Sequence, residues 1–221
     1  MRKAKPIITL FLIIGLPLVI FFVLDSGTHN KENLSILSPK YPDPGGGPDS
    51  VFQVVGDFAL TNQTGESITK NDFKGKILVF HAFNTDCIGE CPTISTNLKE
   101  VQQYLEEAED SSVVMLTVST DPVRDSVSRL RDFADQYGLI DSRWMATRGN
   151  KAEVDRLLYQ DLFFSLPADS SETALPDETL RIVDKEGRIR GKFYRGNSED
   201  EVRSLIDDVK LLKFEYERNQ E

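Results

Sequence analysis

The sequence predicts an α/β sandwich built on a mixed sheet, and three observations predict it. Two apolar runs, residues 76–83 and 113–119, are continuous rather than alternating, which is how strands covered on both faces read. Each gives way to a segment whose apolar residues recur at helical spacing. The chain then closes with two short runs joined through Asp184-Lys-Glu-Gly187, an antiparallel hairpin whose glycine suits a positive-φ turn. Strands alternating with helices and ending in a hairpin describe a sheet with helices packed on it.

In order, residues 57–69 read as a hairpin, with turn residues between two short alternating runs. Residues 76–83 form the first buried strand. Ile94, Leu98, Val101, Leu105 and Ala108 mark a helix over 93–109, and residues 113–119 form the second buried strand. Ser126 can cap a helix to about Tyr137, whose face is Val127, Leu130, Phe133 and Ala134. Trp144 to Ala146 suits a short strand. Asn150 with Glu153 makes a capping-box start for a helix to about Leu158. Residues 180–183 and 188–194 make the hairpin, and Ser198 with Glu201 opens a last helix that buries Val202, Leu205, Ile206, Val209 and Leu212.

Composition narrows the function. The chain of 221 residues carries 26 Lys and Arg against 36 Asp and Glu, a net charge of −10, so no nucleic-acid partner is expected. Its two cysteines, Cys87 and Cys91, exclude a disulfide-framework mini-protein. With only two histidines, His29 and His81, a four-ligand zinc site would need both to converge on the cysteine pair. Residues 7–24 form 18 uncharged, largely Ile, Leu, Val and Phe positions behind Arg2, Lys3 and Lys5. That run is just long enough for a bilayer core of about 30 Å. No small-residue cleavage site follows it, so an uncleaved anchor is expected in place of a removed signal peptide. The basic flank places the N-terminus in the cytoplasm and the rest on the exported side, where disulfides are allowed. The organisation expected is an anchor over 1–25, a Pro/Gly-rich linker over 26–50 containing His29, and a domain over 51–221.

Cys87 and Cys91 lie between the first buried strand and its helix, in Asn84-Thr-Asp-Cys87-Ile-Gly-Glu-Cys91-Pro92. Four residues is about one helical turn, so the sulfurs can face each other at a helix start, where free N–H groups favour a thiolate. Such a pair can close a reversible disulfide or hold a soft ion such as Cu(I). Asp86 and Glu90 flank the sulfurs and favour the protonated thiols, which makes the pair more reducing and slower to attack. The rival is a static disulfide bracing the helix start. His81, six residues before Cys87 in the buried run, reads as a satisfied core residue in preference to a ligand.

From these residues the chain resembles the Sco/SenC family of thioredoxin-fold copper chaperones over about 52–215. The carriers are Cys87-x-x-x-Cys91-Pro92 after one strand and Ser119-Thr-Asp-Pro122-x-x-Asp125-Ser126 after the next, then Trp144, the helix over 152–158, and Ile182-Val-Asp-x-x-Gly187-Arg-Ile-Arg-Gly191. The resemblance implies a thioredoxin-like fold. It also implies copper held by two cysteines and a histidine, and either delivery to the binuclear copper centre of cytochrome c oxidase or reduction of that centre's cysteines. Where the family keeps its histidine, this chain has Pro176, with Asp177 and Glu178 beside it. Two thiolates remain, suited to Cu(I) alone, with Glu178 and His81 as substitute third ligands.

The expected function is therefore thiol–disulfide exchange, with Cys87 attacking and Cys91 resolving. The substrate would be an exported or membrane protein, the copper subunit of the oxidase foremost, with a thiol reductant as second partner. A Cu(I) carrier and a domain with a fixed disulfide are the alternatives. A peroxidase is disfavoured by the acids beside the sulfurs. Arg124, Arg181 and Lys192 are expected to be solvated surface groups.

Overall fold

The computed structural model describes residues 15–16, 33–43, 45, 49–165 and 177–219. The chain divides into two units, residues 1–33 and 34–221, and the fold belongs to the second. The expected span over 7–24 lies, but for residues 15–16, outside the described residues; among those, no helix is long and apolar enough to cross a membrane.

Strands β1 (Lys40–Pro42) and β2 (Ser50–Phe52) form a two-stranded antiparallel ribbon. The main sheet contains β3 (Ala59–Asn62), β4 (Ser67–Thr69), β5 (Ile77–Phe83), β6 (Val113–Ser119), β7 (Trp144–Arg148), β8 (Thr179–Val183) and β9 (Ile189–Arg195), in the order β4-β3-β7-β6-β5-β8-β9. The pairs β5/β6 and β6/β7 are parallel and the rest antiparallel, so the sheet is mixed, as expected. Helices are α1 (Cys91–Glu107), α2 (Val127–Tyr137), α3 (Lys151–Asp155), continued by a π-helical turn over Arg156–Asp161, and α4 (Glu199–Arg218).

Every residue of β5 and β6 is buried. Alternation along β5 sends Ile77 and Val79 to one face, against Ile94, Leu98, Val202 and Leu205 of α1 and α4. Leu78, Phe80 and Ala82 go to the other face, with Phe58, Phe73, Leu157 and Phe164. Phe83 packs at the strand end with Leu130 of α2. Ser126 and Ser198 cap as read, accepting from the N–H groups of Arg129 and Glu201. The capping box at Asn150 is half formed. Asn150 accepts from Ala152, but Glu153 accepts from the Ala59 N–H of β3 instead of reaching back. Gly187 has φ +86°, as the hairpin turn requires. Gly191, within β9, sits where a Cβ would lie 2.0 Å from the Tyr194 hydroxyl, so no larger residue fits at this position of the strand.

The expected linker acquires structure well before Val51. Leu34 is buried, and residues 35–37 run antiparallel to β9 through Gly191 N–H to Ser35 O and Leu37 N–H to Ile189 O, both 2.8 Å. The reason is a charge. Arg190 is buried between Asp184 at 3.1 Å and Glu215 at 2.6 Å, and its Nη2 donates to Leu34 O at 2.7 Å. The Leu34 N–H in turn donates to Glu215. Without this segment a buried ion cluster would lose partners it cannot replace.

A chain truncated to begin at Val51 should therefore lose about 3–5 kcal/mol, from one buried leucine and charge-assisted hydrogen bonds. Urea unfolding of chains starting at residues 33 and 51 checks this. Equal midpoints would mean that the segment is only a passenger on β9.

Candidate redox and metal site

β5 delivers the chain from the middle of the sheet into the loop 84–90, and α1 starts at Cys91 with Pro92 in its first turn. Proline is tolerated there because its missing N–H had no intrahelical partner. Cys87 and Cys91 are joined in a disulfide, with Cα atoms 5.9 Å apart. Both cysteines were expected on the helix start; only Cys91 is on it, and Cys87 precedes it in the loop. Their environments differ accordingly. Cys91 heads the buried stripe that continues through Ile94, Ser95 and Leu98, whereas Cys87 is partly exposed. Beside it Ile88 is 92% exposed.

The segment after β6 holds this loop in place. Asp125 is buried. Its carboxylate accepts from the N–H and hydroxyl of Thr85 and from the Ser119 hydroxyl. The Thr120 N–H donates to Phe83 O at 2.8 Å, and Arg148 donates to Pro122 O at 2.6 Å. The Asp-Pro-x-x-Asp segment is thus the brace of the cysteine loop, a positioning role for Asp125 that its sequence spacing alone does not show.

The electrostatics differ from the reading of two flanking acids. Asp86 is ion-paired with Arg129 of α2, and Arg124 lies 3.9 Å away. The hydrogen bond that Arg129 donates to Asp86 raises the pKa of the guanidinium. Two guanidinium groups therefore offset the acid next to Cys87, while Glu90 is exposed ahead of α1. The pairing joins residues 43 apart in sequence, so local reading misses it.

Arg124 and Lys192 behave as expected, half-exposed and paired with Asp121 at 3.0 Å and Glu201 at 2.9 Å. Arg181 does not. It is buried, donates to Leu162 O at 3.0 Å and Phe163 O at 3.1 Å, pairs with Asp177 at 3.4 Å, and lies 3.8 Å over the Phe193 ring. Burial lowers its pKa to about 10 against the pull of Asp177. A core arginine is affordable here because the backbone supplies carbonyls and two aromatic faces supply the rest.

His81 is 1% exposed, and neither ring nitrogen has a hydrogen-bond partner among the described residues. The expectation of a satisfied core histidine is corrected: it is core, but unsatisfied. It stands opposite Leu180 on β8 and Thr117 on β6, and Leu180 belongs to the cluster under α1, so the imidazole faces the side that Cys91 heads. Burial pushes its pKa down to about 4, with Asp177 opposing. Glu178 is exposed and accepts from Asn197 at 3.0 Å. Pro176 and His29 lie outside the described residues. Among the described residues no group of three or more His, Cys, Asp or Glu is placed to hold a metal ion. The sulfurs fit Cu(I) once reduced, as two soft thiolates; joined as a disulfide they offer no ligand.

A helix-covered mixed sheet whose central strand runs into a cysteine pair at a helix start defines a thioredoxin-like domain. A family model described as SCO1/SenC matches residues 47–210, and the chain belongs to that family. The SCO1 protein homolog of Bacillus subtilis (strain 168) is 24% identical over 164 residues, which are 73% of this chain and 84% of that protein. Among solved structures, BsSco superposes with a TM-score of 0.63 at 23% identity, covering 73% of this chain and 94% of the other. It is described as a member of the Sco family of cytochrome c oxidase assembly proteins with a disulfide switch. Arabidopsis thaliana ScoI with copper bound gives 0.57 at 19% identity, covering 71% and 98%.

The depressed pKa of His81 has a stability consequence. Between about pH 4 and pH 6.5 the unfolded chain holds a proton at this site that the folded chain refuses, so stability falls as pH drops through that window, by about 3 kcal/mol. In His81→Leu that component should vanish, and stability at pH 7 should rise by about 1–2 kcal/mol as the orphaned imidazole goes. Urea unfolding at pH 7 and pH 4.5 measures both. A variant as acid-sensitive as wild type would refute the assignment.

Proposed function

We propose that this protein is a membrane-anchored thiol–disulfide exchange protein of the SCO1/SenC family that acts on the cysteines of the copper centre of cytochrome c oxidase. Residues 7–24 are its anchor, with the N-terminus cytoplasmic and the domain on the exported side. The observation that carries the reading is the unequal pair: Cys87 reachable in the loop, Cys91 buried at the first residue of α1. The oxidase assignment is supported by family membership and by the description of BsSco.

In the reduced chain the Cys87 thiolate attacks a disulfide on the substrate. A mixed disulfide forms and the first substrate thiolate leaves. Cys91 loses its proton and attacks the Cys87 sulfur, releasing the second substrate thiolate. The substrate gains two electrons, and the protein ends as the Cys87–Cys91 disulfide seen here. A dithiol reductant on the exported side returns the pair to its starting state. Arg124 and Arg129, by offsetting Asp86, keep the attacking thiolate from facing an uncompensated acid.

A second reading is favoured by the copper-bound ScoI structures that share this fold. Once the disulfide is reduced, the two thiolates take Cu(I) as cargo in a two-coordinate way.

In glutathione buffers the couple in the full chain should sit above about −300 mV, and Cys91→Ser should accumulate a mixed disulfide at Cys87 that Cys87→Ser does not form. A potential well below that value would make the pair a fixed brace and end the exchange reading. In competition with a chromophoric Cu(I) chelator, the cargo reading expects one-to-one binding by the reduced chain. It expects binding to be lost in either cysteine variant and to be unchanged in His81→Leu. Binding no tighter than that of the cysteine variants would remove it.

A further inference from the structure

The far end of the sheet holds a feature that the cysteine chemistry does not use. Beside the start of β5, about 16 Å along the strand from Phe83, lies a cavity of about 290 Å³. Its floor is apolar: Val55, Phe58, Phe73, Leu78 and Val183 all line it and all are buried. Lys70, Lys74, Lys76 and Lys185 line it as well.

These four lysines are unusual in so acidic a chain. Lys151, Lys192, Lys210 and Lys213 each pair with a carboxylate. None of the four at the cavity has a carboxylate partner among the described residues. Lys70 donates to Val55 O at 2.5 Å, Lys76 donates to Ser111 O, and Lys185 lies 4.4 Å over the Tyr216 ring. Lys74 is exposed. Two acids also line the cavity. Asp184 is already bound by Arg188 and Arg190, which leaves Asp57 as the opposing charge. Four lysines line this apolar hole, with the ammonium groups of Lys76 and Lys185 resting on Ser111 O and Tyr216 just outside its lining, and together they raise the local positive potential, because low-dielectric walls focus the field. A site with an apolar floor and a few convergent polar groups is the usual form of a small-molecule site, and this volume lies at its lower limit.

We propose that this cavity binds an amphipathic anion: a small flat apolar body seated on Phe58, Phe73 and Leu78, carrying a phosphate or carboxylate that meets the four lysines. The phosphate chemistry is shared by a soluble organic phosphate and by the headgroup region of an anionic lipid in the membrane that anchors the chain. The assignment stands apart from the cysteine pair, so failure of either leaves the other intact.

Naphthyl phosphate is the probe, titrated by calorimetry into the full chain in phosphatidylcholine nanodiscs, with empty nanodiscs subtracted. The expected result is one site per chain, bound at least tenfold more tightly than naphthol or inorganic phosphate. Affinity should fall at least tenfold in the double variant Lys74→Glu, Lys185→Glu, and stay unchanged in Cys87→Ser. An unchanged urea midpoint shows that the double variant is folded, and Lys74→Ala alone should cost about threefold. Naphthol binding as well as the probe would leave only an apolar hole. Inorganic phosphate binding as well would leave only a basic patch. Undiminished binding by the double variant would place the probe elsewhere, and each of these three results overturns the proposal. Repeating the titration in phosphatidylglycerol nanodiscs separates the sources: weaker apparent binding there means that a lipid headgroup competes for the cavity, and equal binding means a soluble ligand.

Discussion

Strand β5 has no face and no edge left for water. β6 and β8 take its two edges, α1 and α4 cover one face, and Phe58, Phe73 and Leu157 cover the other. Everything that matters for the cysteine pair is measured from this strand. Register is specified because a one-residue slip would carry Ile77 and Val79 to the wrong cluster. The strand leads straight into the loop, so the loop inherits a fixed starting point, and α1 is fixed by packing its own apolar stripe back on the same strand. A disulfide between Cys87 and Cys91 thus joins two elements that are already held, and reducing it leaves the scaffold in place.

Buried charge does the remaining positioning, with three of these groups each tied to one irregular segment. Asp125 ties the cysteine loop to the end of β6. Arg181 ties residues 162–163 to β8. Arg190 ties residue 34 to β9 and α4. In each case a side chain that would be costly to bury alone is satisfied in part by backbone groups that lack partners in a regular element, alongside hydroxyls or carboxylates. That exchange explains how loops are placed as firmly as strands in this domain. His81 departs from this pattern: neither of its buried ring nitrogens finds a hydrogen-bond partner among the described residues.

What was legible in the sequence is what local pattern encodes. The unbroken apolar runs of β5 and β6 announced strands covered on both sides. Ser126 and Ser198 announced helix starts because a cap acts within three residues. Gly187 announced its turn. Cys87-x-x-x-Cys91-Pro92 between a strand and a helix announced the site. What was not legible depends on partners far apart in the chain. Nothing near Leu34 says that an arginine 156 residues on will need its carbonyl. Arg181 looks like any strand-edge cation until Phe193 and the 162–163 carbonyls are placed around it. Asp86 looks like an uncompensated acid until α2 brings Arg129 across to it.

The ordered stretch at residues 34–38 also bears on how copies of this chain behave side by side. An open sheet presents two bare edges, and bare edges recruit strands from neighbouring molecules. One edge here is β4, only three residues long. The other is β9, whose first half is occupied by residues 35–37 and whose second half carries Lys192 and Arg195. Crowded together, such molecules have no long unclaimed strand among the described residues to share, and the same few residues that satisfy a buried arginine keep the domain from zipping to its twin.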